Sequence, residues 1–115
     1  MEVNPYLRII EPEISVIGRK VVAKFKLEQV TSNEVYRISL FAHSHIDVSN
    51  KLNIVNRTEE LNRSITDGEA FELSINLEDY TSTLVPGKSY YFRIGAQSHG
   101  SETKYNYSAS VQLDI

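Results

Sequence analysis

The chain has 115 residues, the length of one ordinary domain, and its 41% hydrophobic and 23% charged residues are the balance of a soluble globular protein. Twelve basic against fifteen acidic side chains leave a net charge of −3, which gives no electrostatic reason to bind nucleic acid or anionic lipid. With no cysteine, disulfides, thiolate metal sites and a cysteine nucleophile are excluded, and no apolar run approaches the roughly 20 residues of a membrane span.

The N-terminal stretch MEVNPYLRII lacks the basic start, apolar centre and small-residue cleavage site of a signal peptide. After it, strict alternation of apolar and polar residues dominates. The first pattern reads as two short strands, Tyr6–Ile10 and Glu13–Ile17, broken at the edge by Pro12. Gly18-Arg19 turns the chain into a run in which Val21, Ala23, Phe25 and Leu27 face one side and Lys20, Lys24 and Lys26 the other. Tyr36, Ile38, Leu40 and Ala42 repeat the pattern. Thr58–Arg63 reads as at most one helical turn.

Asp67-Gly68 precedes the next alternating run, Phe71, Leu73, Ile75 and Leu77. Pro86-Gly87 precedes Tyr90, Phe92, Ile94 and Ala96. The last run is Tyr107, Ala109, Val111, Leu113 and Ile115. Seven short strands without an amphipathic helix predict an all-β, seven-stranded antiparallel Greek-key sandwich, a single domain over residues 1–115.

Pro86-Gly87 suits a tight turn, because proline presets φ and glycine tolerates a positive φ after it. Leu84 and Tyr90 on either side of the turn would then plug the end of the core. A tyrosine near the start of the sixth strand of such sandwiches turns its hydroxyl back to the main chain, and Tyr90 is the candidate. Leu84-x-Pro86-Gly87-x-x-Tyr90 followed by Phe92-Arg93-Ile94-x-Ala96 resembles the corner and following strand of fibronectin type III domains. The tryptophan common in the second strand of that family is absent, and Phe25 would fill its place.

Asn4-Pro5-Tyr6-Leu7-Arg8-Ile9, Gly95-Ala96 and Tyr105-Asn106-Tyr107-Ser108 resemble a narrower group. It is the C-terminal sandwich domain of a Bacteroidetes surface-lipoprotein family of unknown function, associated with glycan-uptake loci. This resemblance implies a domain of a longer lipoprotein on the outer-membrane surface, a non-catalytic role and no cofactor. Membrane attachment would be only through a lipid anchor outside this chain. The partner it implies is a polysaccharide or a neighbouring surface protein domain, and it supplies no binding residues.

Among the residues themselves, His43-Ser44-His45-Ile46-Asp47 is the most suggestive cluster. On a continuing strand His43, His45 and Asp47 would share one face as metal ligands, whereas a solvated strand end would leave them in a loop. No nucleophile-elbow pattern accompanies the serines, histidines and acids, and the adjacent pairs Glu59-Glu60 and Glu78-Asp79 read as exposed charges. Tyr6, Tyr36, Tyr90 and Tyr107 fit inward positions, and Tyr80, Tyr91 and Tyr105 partly exposed ones. Exposed tyrosines stack on the apolar faces of sugars while their hydroxyls stay wet.

The loop after the sixth strand, Ser98–Asn106, holds His99, Lys104 and Tyr105. With Tyr91 these are the predicted ligand-binding residues. The lysine stripe would suit an acidic polysaccharide or simply guard a solvated face. A protein-docking role would instead use Val22, Val35 and Phe41, which fall on the outward phase of their strands.

Overall fold

The computed structural model describes residues 7–29, 34–49, 51–66, 68–98 and 106–115. Its strands are β1 (Leu7–Ile17), β2 (Lys20–Gln29), β3 (Val35–His43), β4 (Val55–Arg63), β5 (Glu69–Asn76), β6 (Ser89–Ser98), β7 (Asn106–Tyr107) and β8 (Val111–Asp114), with a 3-10 turn at Leu77–Tyr80. Two antiparallel sheets form, one in the order β1-β2-β5 and the other β4-β3-β6-β7, with β8 also on β6. This is the fibronectin type III-like sandwich. The alternating residues of β2, β3, β5 and β6 meet between the sheets, and Val21, Leu27, Ile38, Leu40, Phe92 and Ile94 are wholly buried there.

Three departures from the sequence reading come from strands that change phase. β1 is one continuous strand, not two. Ile10 opposes Lys26 and Glu13 opposes Lys24, so three steps on β1 match two on β2. The extra residue is a bulge, with Glu11 at φ 50° and Pro12, which has no N–H for the ladder. It lets Ile9 and Ile14, five positions apart, both turn inward.

A second bulge lies at the start of β3. Val35 opposes Ser98 and Arg37 opposes Gln97, two steps against one. The phase flip buries Val35 completely and leaves Tyr36 only half-buried, the reverse of the expected pattern. In the last strand Tyr107 opposes Gly95 and Val111 opposes Phe92, four steps against three. Tyr107 is thereby placed on the outer face and Leu113 returns to the core. The expected single run is thus two segments, β7 and β8.

β4 replaces the helical turn expected at Thr58–Arg63. It is an edge strand with mostly exposed polar residues, so no apolar period announces it. Charges along such an edge discourage pairing with another chain.

Candidate functional site

The corner between the 3-10 turn and β6 is built as a lock. Lys88 N donates to Val85 O at 3.2 Å, closing a turn with Pro86 and then Gly87 at φ 86°, the type II arrangement. Val85 N donates to the Tyr90 hydroxyl at 2.9 Å, and Leu84 is wholly buried beneath. Gly87 N donates to Ile115 O at 2.6 Å, which fastens the last residue to the same turn.

Tyr91, the one described member of the predicted binding set, sits half-buried on the outer face of the larger sheet, between His43 and Gln112 in register. His99, Lys104 and Tyr105 lie outside the described residues. Further along this face, Arg93 stacks over Tyr107 at 4.6 Å from the ring centroid, and Phe41 packs against the same ring at 6.2 Å. Arg93 Nε donates to Ser108 O at 2.7 Å and Nη1 to Val48 O at 3.4 Å, drawing the β3–β4 connection onto the sheet.

Val48 and Phe41 are consequently buried, at 0% and 3% exposure, outside the main core cluster. Val22 is 7% exposed. The three residues expected to offer an apolar docking patch are therefore not on offer. Val35 is turned inward by its bulge, and Phe41 is covered by Tyr107.

β3 ends at His43, so the strand that would align His43, His45 and Asp47 does not continue. The chain bends instead. His45 N donates to His43 Nδ1 at 3.0 Å and Asp47 N to His45 Nδ1 at 3.1 Å, so one nitrogen of each imidazole is occupied by the turn itself. Among the described residues no three histidine, aspartate or glutamate side chains group as metal ligands. Glu59 and Glu60 fall on opposite faces of β4, opposite Ile38 and Arg37 respectively.

Two depressions stand out among the described residues. A groove of about 450 Å³ crosses the outer face of the smaller sheet between Glu11, Glu13, Lys24, Lys26, Phe71 and Glu72. Its charges answer one another: Lys24 lies between Glu13 and Glu72 in register, and Lys26 Nζ is 3.4 Å from Glu11. Of the three striped lysines, Lys26 is thus paired with an acid and Lys24 is flanked by two.

The second depression is a cleft of about 290 Å³ lined by Lys20, Arg57, Ser74, Ile75, Asn76, Asp79 and Tyr80. It exists because the sheets are unequal. Arg57 opposes Leu40 and so has the inward phase, but β4 is the edge strand of its sheet and lies beside β5, the edge strand of the other. Its side chain meets the free edge of β5 rather than a core. The 3-10 turn closes one end and presents Tyr80, 36% exposed, while Asn76 Oδ1 accepts from Glu78 N at 3.1 Å and fixes that turn.

Among the described residues Lys20, Arg57 and Asp79 have no ion pair or side-chain hydrogen bond. The cleft therefore combines an accessible aromatic ring, two unneutralised cations, one carboxylate, an amide and a hydroxyl. Sequence reading marked Tyr80 as partly exposed and Lys20 as one of a stripe. It had no signal for Arg57, which reaches them only through the packing of β4 beside β5.

A solved candidate carbohydrate-binding protein from Bacteroides uniformis matches this fold with a TM-score of 0.88 at 28% identity, over 96% of this chain and 58% of that one. DUF3823 family proteins from Parabacteroides merdae (TM-score 0.80, 22% identity, 96% and 53% covered) and Bacteroides ovatus (TM-score 0.78, 18% identity, 96% and 55% covered) share it. The chain spans little more than half the length of these structures. No curated protein matches significantly. The profile of DUF3823_C, a domain of unknown function, matches residues 7–112, and the chain belongs to that family.

Proposed function

We propose that this domain is a non-catalytic glycan-binding module of a bacterial cell-surface lipoprotein associated with glycan uptake. The observation that carries the reading is the cleft beside β5, where an exposed tyrosine stands among several hydrogen-bonding side chains on a rigid sandwich. A ring stacks on the apolar face of a sugar while amide, hydroxyl and charged groups bind its hydroxyls. Similarity to the Bacteroides uniformis candidate carbohydrate-binding protein supports the same ligand class. Among the described residues no helix is long and apolar enough to cross a membrane. By the resemblance to the surface-lipoprotein family, attachment is assigned to a lipid anchor outside this chain.

A glycan array probed with the isolated domain tests this reading. Retention of a polysaccharide without release of shorter products is the expected result. Turnover of any bound glycan would contradict the non-catalytic assignment, and fractionation of the parent protein away from the outer membrane would contradict the location.

A second reading is a docking module without sugar affinity. The exposed apolar residues Ile17, Ile46, Leu52 and Ile54 favour it, because all four lie at the end of the sandwich formed by the β1–β2 and β3–β4 connections. Charge substitutions at Ile46 and Ile54 that leave capture by a neighbouring domain intact would count against it.

A further inference from the structure

We infer that the cleft beside β5 selects an acidic sugar residue, one bearing a carboxylate or a sulfate ester, over its neutral counterpart. The inference rests on the glycan-binding reading and specifies its ligand. Lys20 and Arg57 both line the cleft and face a single acid, Asp79, so its side chains sum to one excess positive charge in a chain whose net charge is −3. Neither cation is neutralised within the described protein. The contrast with the neighbouring groove is informative, because there the lysines lie beside glutamates and no positive charge is left over.

The two cations come from different sheets. Lys20 begins β2, opposite Asn76 of β5, and Arg57 lies on β4. An anionic group between them would be held by a point charge on one side and a planar guanidinium fork on the other. Tyr80 at the mouth supplies the face on which the sugar ring stacks. Asn76 and Ser74 bring an amide and a hydroxyl to the same wall. Asp79 accepts from sugar hydroxyls and sets their orientation. The volume, about 290 Å³, is at the lower end of small-molecule sites and suits a short segment rather than a long stretch of polymer.

The test is calorimetric titration at low ionic strength with three probes: oligogalacturonate, the same oligomer fully methyl-esterified, and keratan sulfate oligosaccharide, which bears sulfate esters and no carboxylate. Expected is binding of an acidic probe at least about tenfold tighter than the esterified oligomer, weakening with added salt. The preference should collapse in Lys20→Gln/Arg57→Gln and persist in Lys24→Gln. Tighter oligogalacturonate binding identifies the anion as a carboxylate, and tighter keratan sulfate binding as a sulfate ester.

Equal binding of the acidic and esterified oligomers, unchanged in the double variant, overturns the selectivity while leaving glycan binding in place. A preference that survives the double variant overturns its assignment to this cleft. Silence with all three probes and with neutral glycans overturns this inference and the reading beneath it together.

Discussion

Arg93 lies 4.6 Å above the ring centroid of Tyr107, and the same guanidinium donates to Ser108 O and Val48 O. One side chain of β6 thereby joins the last strand to the β3–β4 connection across the outer face of the larger sheet. Arg93→Lys keeps the charge but loses the planar fork, and the expected cost is roughly 1–2 kcal/mol. Urea denaturation should show it as a lower midpoint with an unchanged slope.

Tyr90→Phe removes only the hydroxyl that accepts Val85 N, leaving that amide without its partner at a part-buried corner. The expected loss is about 1–2 kcal/mol, or several degrees in Tm for a domain this size. A thermal melt indistinguishable from the wild type would remove the hydroxyl from the list of fold-stabilising groups.

Gly87→Ala should cost about 1–2 kcal/mol through the backbone alone, since the residue sits at φ 86° and an added Cβ would meet nothing within 4 Å. Ile115, whose carbonyl accepts from Gly87 N, should show faster amide exchange in the variant.

Glu69 accepts from Arg63 Nη1 at 3.1 Å and Nη2 at 2.5 Å, and from Thr66 N at 3.2 Å. The Arg63 hydrogen bonds, then the Thr66 amide, hold its carboxyl below the ordinary value near 4.5. A depressed folded-state pKa means that the stabilisation is present above that ordinary value and is lost as pH falls through the folded one. Glu69→Gln should therefore melt below the wild type at pH 7, with the gap closing as pH is lowered past about 4.5. A gap independent of pH would mean that ionisation of Glu69 is not what matters.

Strands with an apolar face were legible in the sequence because burial on one side imposes a period of two. Val21 to Leu27 and Tyr90 to Ala96 lie inward as their spacing dictates. What the sequence hid were the changes of phase. A single extra residue at Tyr36 reverses the fates of Val35 and Tyr36, and nothing in Val35-Tyr36-Arg37 marks it locally. β4 was hidden for a different reason: most of its residues face solvent, so it has no apolar stripe to find. The cleft depends on that strand, and Arg57 reaches β5 by long-range packing that no local pattern encodes.

Glycan binding at the β5 cleft is tested most directly by NMR, titrating the isolated domain with a panel of neutral and acidic polysaccharide fragments. The account predicts shifts centred on Lys20, Arg57, Asn76 and Tyr80, abolished in Tyr80→Ala with the fold intact. A panel that leaves these four resonances unmoved, whether silent throughout or shifting residues elsewhere, would contradict it.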